Sequence, residues 1–197
     1  ALKSAFFFGD LVVALGADIR SSDAWIFRIT TALDQTHLAG PVTRGGATET
    51  SGGLPWVHHD GRGYVSLDGA PIAVSTEIQE GKWDLIDPFY RDRTQRGPVF
   101  KCWFGHDPAR TGGYAYAFLP CRDAKRTERF ARNPSVRILR NDAGCQAVEY
   151  GKICCAVVHR AGEYRLGGIT APEPAIYLLR GGRTEVRSLP PLNGAAD

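Results

Sequence analysis

The sequence predicts an all-β protein: a large antiparallel β-sandwich followed by a smaller C-terminal β-sandwich, with one short linking helix. Three observations predict it. Gly 23 and Pro 12 make 35 of the 197 residues, a density of turn formers well above the usual ~12%. The runs between these breakers are short and alternate apolar with polar residues, as in Phe100-Lys101-Cys102 and Val136-Arg137-Ile138, which is the period of antiparallel strands with one face on a core. Only residues 123–133 read as a helix: Asp123 can cap it, Lys and Arg fill it, and Pro134 lies just beyond its end.

From the N-terminus, residues 4–15 form two apolar runs broken by Gly9-Asp10, a hairpin signal that reads as two buried strands. Residues 25–33 alternate aromatic or branched with polar side chains, and Thr30-Thr31 favours a strand. The Gly-, Thr- and Ser-rich residues 40–53 read as a surface loop. Trp56-Val57-His58-His59-Asp60-Gly61-Arg62-Gly63-Tyr64 is the next hairpin, with Asp60-Gly61 supplying the positive-φ turn. Residues 72–79 and 82–86 continue the strand series. The longest alternating runs, 98–104 and 113–120, flank a loop with Gly and Pro and read as the strongest strand pair, which folded about Ala109 sets Cys102 opposite Tyr116. After the helix, strands are predicted at residues 136–142, 145–150, 153–159, 162–167, 175–180 and 184–189. The organisation this implies is residues 1–121 as part of a central antiparallel sandwich, 122–133 as the linking helix and 134–197 as a small C-terminal β domain.

Composition removes several function classes. Twenty-four Lys and Arg against 21 Asp and Glu leave +3, too small and scattered an excess for the basic stripe of a nucleic-acid binder. No run approaches the ~18 apolar residues of a membrane span, so neither nucleic acid nor membrane is an expected partner. The chain starts with Ala and has no Met, which reads as an excised piece of something longer, the alternative being a chain that lost only its initiator methionine. GxSxG, GxGxxG, GxxxxGK[ST] and HExxH are missing, so no cofactor is expected. Five Cys cannot all pair. Cys154 and Cys155 are neighbours and point to opposite strand faces, and no CxxC or matching His spacing suggests zinc, so buried free thiols are expected.

The order of motifs resembles the C-terminal β half of polysaccharide lyases of family eight, the hyaluronate, chondroitin and xanthan lyases. The stretches that carry the resemblance are Lys3-Ser4-Ala5-Phe6-Phe7-Phe8, Leu15-Gly16-Ala17-Asp18-Ile19, Thr30-Thr31-Ala32-Leu33-Asp34-Gln35 and the Trp56 to Tyr64 motif. Val99-Phe100-Lys101-Cys102-Trp103-Phe104-Gly105-His106 and Tyr114-Ala115-Tyr116-Ala117-Phe118-Leu119-Pro120 are similar to the family's signature hairpin, and Asn133-Pro134, Leu139-Arg140-Asn141-Asp142 and Gln146-Ala147-Val148 to the opening of its small last domain. The resemblance spans about residues 1–185. It implies an enzyme that cuts uronic-acid polysaccharides by β-elimination, in which a base takes the proton beside the carboxylate, a positive or amide group stabilises the enolate and an acid protonates the leaving oxygen. In the family an Asn, a His, a Tyr and an Arg on a preceding α-toroid carry this chemistry. This sequence contains no such toroid, so no catalytic residue is assigned and the chain alone is expected to be inactive. The implied partners are an acidic polysaccharide and the N-terminal α-toroid part of the same enzyme as a separate chain. The expected location is secreted or periplasmic.

For substrate contact the candidates are Trp56, with its flat apolar indole, His58 and Arg62 near the hairpin tip, and Arg91 and Arg93, whose guanidinium groups match sulfate or carboxylate oxygens. Each has a plainer reading. His58 and His59 read as hydrogen-bonding structural residues, the arginines as a solvated loop, and Tyr114 and Tyr116 as a packed sheet face. A non-catalytic carbohydrate-binding or scaffold sandwich is the alternative function.

Overall fold

The structure, a computed structural model, describes residues 1–23, 28–46, 53–87, 89 and 94–189. Among the described residues it is all-β with one α-helix, as the sequence predicts. In chain order the strands are β1 (Leu2–Phe7), β2 (Val12–Ile19), β3 (Ile29–His37), β4 (Val42–Gly45), β5 (Trp56–His59), β6 (Arg62–Ser66), β7 (Ala73–Ser75), β8 (Ile78–Lys82), β9 (Thr94–His106) and β10 (Gly112–Pro120). Helix α1 (Ala124–Arg132) follows, and then β11 (Val136–Asn141), β12 (Cys145–Tyr150), β13 (Ile153–Val158), β14 (Tyr164–Leu166), β15 (Ile169–Ala171), β16 (Ala175–Arg180) and β17 (Arg183–Arg187).

These strands form stacked antiparallel sheets. A six-stranded sheet ordered β1-β2-β10-β6-β5-β4 is the middle layer. On one face lies the sheet β3-β9-β7, with β8 pairing the first half of β9; Phe100 and Cys102 of β9 meet Val57 and Tyr64 of the middle sheet there. On the other face lies the sheet β11-β12-β13-β16-β17, where Val136 and Val148 share a core with Val13, Leu15, Ala117 and Leu119. The two-stranded ribbon β14-β15 closes the far side of that last sheet over Cys145, Ala156 and Tyr177. The middle sheet is therefore covered on both faces, and β5 is buried at all four positions.

Helix α1 begins where Asp123 accepts a hydrogen bond from the Lys125 N–H at 2.9 Å, the expected N-cap. A directional chain of amides bonds the middle sheet to the last one. Ser4 donates to Gln146 Oε1 at 2.6 Å, His159 Nε2 lies 3.2 Å from the same oxygen, and Gln146 Nε2 donates to Asn141 Oδ1 at 2.9 Å. Asn141 Nδ2 then reaches the carbonyls of Gly16 at 3.2 Å and Tyr114 at 3.0 Å. Gln146 is fully buried, so these bonds satisfy groups that have no water.

Several local expectations are corrected. The runs at 98–104 and 113–120 are not a paired hairpin. β9 lies in the outer sheet and β10 in the middle one, so the loop between them crosses layers. Both turn alternate residues to the same inter-sheet core, β10 giving its other face, Ala115, Ala117 and Leu119, to the core with the last sheet, and Cys102 packs with Tyr116 across the first core instead of beside it. β1 is buried only at alternate positions, with Phe7 76% exposed, because it is an edge strand. The 40–53 stretch contains a strand, β4, on the other edge. Residues 83–85 form a single 3₁₀ turn instead of a strand. Trp25 and the two residues after it lie outside the described residues.

Candidate functional site

The β5–β6 hairpin carries three of the candidates named from the sequence. Asp60 (φ 45°) and Gly61 (φ 75°) make its two-residue turn, the arrangement whose twist suits a tight hairpin. Trp56 pairs with Val65, Val57 with Tyr64, His58 with Gly63 and His59 with Arg62, so Trp56 and His58 face one neighbouring layer while His59 and Arg62 face the other. Helix α1 lies across the first face. A Cβ on Gly63 would stand 2.2 Å from Thr127 Oγ1, so the helix approaches this closely only because residue 63 is glycine. His58 Nε2 lies 2.8 Å from the Cys121 carbonyl oxygen and donates its proton there.

Beside the tip is an open cleft of about 580 Å³, lined among others by Pro41, Thr43, His58, Asp60, Arg122 and Asp123. Its charges are two carboxylates and one guanidinium. Asp123 is also occupied with capping α1. This is a poor electrostatic match for a polyanion.

On the opposite face the charged groups are committed to one another. Arg62 Nη2 is 2.8 Å from Asp60 and Nη1 is 3.5 Å from Asp34. Tyr64 donates its hydroxyl proton to Asp34 Oδ2 at 2.8 Å. A β-bulge at Leu33 turns Asp34 inward to receive it. Burial, reinforced by the hydrogen bond to Asp34, pushes the Tyr64 phenol far above its ordinary value of 10, so it stays a proton donor. His59 accepts from the Ala39 N–H through Nε2 at 3.1 Å, which puts its own proton on Nδ1, a buried atom with no partner among the described residues. Its ring stacks on Phe100 at 4.3 Å. Burial, followed by the Arg62 charge, lowers its pKa from 6.5. His59 is thus a neutral ring filling the space between two sheets. His106, 2.8 Å from Thr31 Oγ1, and His159 are likewise bonded to groups of the fold. Among the described residues, no three His, Cys, Asp or Glu gather as a metal site.

The surface role expected of Trp56 and His58 is corrected. They are 8% and 7% exposed, because α1 and the last sheet cover the layer that the hairpin belongs to. The Trp56 indole lies against Gly45 of β4, where a Cβ would come within 2.9 Å of Nε1. Arg62 reaches the surface in part, with its guanidinium tied to two carboxylates. Arg91 and Arg93 lie outside the described residues. Tyr114 is buried against Phe104 and Tyr116 packs with both, as the packed-face reading expects. All five cysteines are free. Burial pushes the Cys102 thiol up to about 12 and the Cys145 and Cys154 thiols up to about 11, which makes them inert at neutral pH.

The sequence reading passed over Trp103. Its signal was present in the β9 alternation, which sends Phe100, Cys102 and Phe104 inward and leaves Lys101 and Trp103 on the outer face.

Residues 1–131 match the family model described as polysaccharide lyase family 8, super-sandwich domain. The chain belongs to polysaccharide lyase family 8. Among its relatives, chondroitinase-AC of Pedobacter heparinus is 32% identical over 180 residues, covering 86% of this chain and 25% of that protein. Xanthan lyase of Bacillus sp. is 31% identical over 173 residues, covering 76% of this chain and 18% of that protein. A solved chondroitinase AC lyase, studied in oligosaccharide complexes, superposes with a TM-score of 0.80 at 30% identity over 92% of this chain and 29% of its own. The Streptomyces coelicolor A3 chondroitin AC lyase bound to chondroitin sulphate superposes with a TM-score of 0.77 at 27% identity, over 94% of this chain and 25% of its own. The chain thus spans about a quarter or less of the length of the curated relatives named here, and it shares their super-sandwich fold.

Proposed function

We propose that this chain is the C-terminal β portion of a secreted or periplasmic lyase that cleaves chondroitin or hyaluronan by β-elimination. Its catalytic groups lie on an N-terminal α-toroid part present as a separate polypeptide. The observation that carries this reading is the pairing of coverages. The chain aligns over 86% of its length with chondroitinase-AC and over 76% with xanthan lyase, yet it accounts for only 25% and 18% of those proteins. Two features of the chain support it. The histidines of the β5–β6 region are bonded into the fold, and Tyr64 is held as a donor by Asp34, so no base is poised there to take a proton from a substrate. Leu85, Ile86 and Phe89 are 82%, 77% and 95% exposed, an apolar surface that the rest of the enzyme would cover.

The test is an ultraviolet assay for the conjugated double bond that elimination leaves. It is run on chondroitin and hyaluronan with the chain alone, and again after adding the remaining part of the enzyme. No turnover alone and turnover on mixing are expected. Turnover by the chain free of any companion would overturn the placing of the catalytic groups.

A further inference from the structure

The outer face of the β3-β9-β7 sheet carries the partly open side chains of β9. Trp103 stands on it between Ala32 of β3 and Ala73 of β7, its register partners on either side. Gly105, the next β9 residue on that face, is exposed and pairs with Thr30. No tall side chain therefore flanks the half-buried indole on either neighbouring strand. Two residues back, about 7 Å along the strand, Lys101 pairs with Gln35 and Ser75 and its ammonium donates to Gln79 Oε1 at 3.0 Å. Over one face of the ring lies the Arg28 guanidinium, 5.6 Å from the indole centroid, so a sugar would stack on the other face with that cation at its edge.

These residues line a groove of about 500 Å³. Its charges are favourable for an anion. Arg28 and Lys101 equal Glu77 and Asp34 in number, and because Asp34 is turned inward to Tyr64 and Arg62 the groove's open side presents two cations to one carboxylate. A flat apolar ring bordered by hydroxyl and amide groups complements a pyranose, which has an apolar face and a polar rim. Two cations within reach of that ring complement carboxylate or sulfate on it or on its neighbour. The cleft at the hairpin tip lacks both the ring and the charge balance.

We propose that this face binds an acidic oligosaccharide, with Trp103 stacked on one sugar and Arg28 and Lys101 meeting its anionic groups. The acidic nature of the ligand rests on the proposed function as well as on the local charge. The surface would hold a polysaccharide chain against the enzyme between cuts.

The test titrates the 197-residue chain with hexasaccharides of hyaluronan and chondroitin sulfate and with neutral cellohexaose, following the Trp103 indole N–H by NMR, assigned from Trp103→Phe. Saturable movement with the acidic sugars is expected. Trp103→Ala should weaken binding at least tenfold, and Lys101→Gln severalfold with a shallower salt dependence. Because Lys101 has a half-exposed, solvent-facing side chain, its variant reports binding even if Trp103→Ala is destabilised. An unmoved indole, equal binding of cellohexaose, or affinity unchanged by both Trp103→Ala and Lys101→Gln would overturn the proposal. So would an indole that responds in this chain and not in the whole enzyme, since another part of the enzyme would then occupy the face. Turnover of a short oligosaccharide by the whole enzyme is measured alongside. If it is absent in the unmodified enzyme, the lyase reading fails while the binding result stands on its own.

Discussion

The middle sheet and the outer β3-β9-β7 sheet are built from similar residues and carry opposite kinds of information. β5 reads Trp-Val-His-His and is buried throughout, whereas β9 alternates along its second half between fully buried and partly open positions. A strand covered on both faces has no solvent side, so its polar residues must be bonded inside, as His58 is to the Cys121 carbonyl and His59 to the Ala39 N–H. A strand with one open face can spare its outward side chains for other uses. Two adjacent histidines beside a tryptophan look like a site and are packing. A single tryptophan between two alanines looks like packing and is the better site.

The largest expected effect tests the inward half of that contrast on one strand. Phe100 is fully buried and stacked on His59. Phe100→Ala is expected to cost about 3–5 kcal/mol in urea unfolding, the usual range for a buried aromatic. Trp103→Ala, three residues on and facing out, is expected to cost under about 2 kcal/mol. Equal losses would mean that the outer face is covered as fully as the inner one.

Next is the amide chain that joins the middle sheet to the last one. Gln146→Leu keeps the volume but takes away the partner of the Ser4 hydroxyl, of His159 Nε2 and of Asn141 Oδ1, while Asn141 Nδ2 keeps the Gly16 and Tyr114 carbonyls. A loss of about 1–3 kcal/mol is expected, because the orphaned groups are removed from water. Ser4→Ala should cost less, since Gln146 Oε1 keeps His159. A double-mutant cycle between positions 4 and 146 measures the coupling.

These examples show what the sequence carries. Period-two alternation, the Asp60-Gly61 turn and the Asp123 cap are local signals, and all three appear in the structure where the residues place them. Which sheet a strand joins is not local. β9 and β10 alternate like a hairpin, yet they pair with different neighbours, because alternation records only that the two faces of a strand differ and not what covers each of them. The exposure of Trp56 was misjudged for the same reason: the hairpin motif is legible, but α1 and the last sheet come from residues 68 or more positions further along. Asp34 reaches Tyr64 only through a bulge, which shifts the face of every residue after it and leaves no signal in composition.

A smaller effect follows from the buried histidines. His59, His106 and His159 are each held below the ordinary 6.5, with burial the first cause in every case. Below pH 6.5 the unfolded chain takes up protons that the folded one refuses, so the folded state loses stability as pH falls. Stability should be full above pH 6.5 and should decline below it until the folded-state values are passed. His59→Gln cannot be protonated and should show a shallower decline, read as thermal midpoint against pH. A slope unchanged by the substitution would place the titration on the other two rings.

The smallest expected effect lies where the contrast predicts almost none. Arg137 of β11 and Glu149 of β12 face each other in register, with Nη2 2.9 Å from the carboxylate. The arginine side chain is 67% exposed, so water and salt screen the pair and its fixed geometry costs side-chain entropy. Arg137→Ala is therefore expected to shift unfolding by no more than about 0.5 kcal/mol, and less in high salt. The same kind of pair on the other side of the molecule, Arg62 with Asp34, is shielded by two sheets and further held by the Tyr64 hydroxyl. Arg62→Ala leaves that inward carboxylate short of a partner and should cost more than Arg137→Ala. If the exposed pair proves the stronger, charge in this fold is not governed by how many faces of a sheet are covered, and the division between buried bonding and open binding surfaces would have to be drawn from side-chain identity instead.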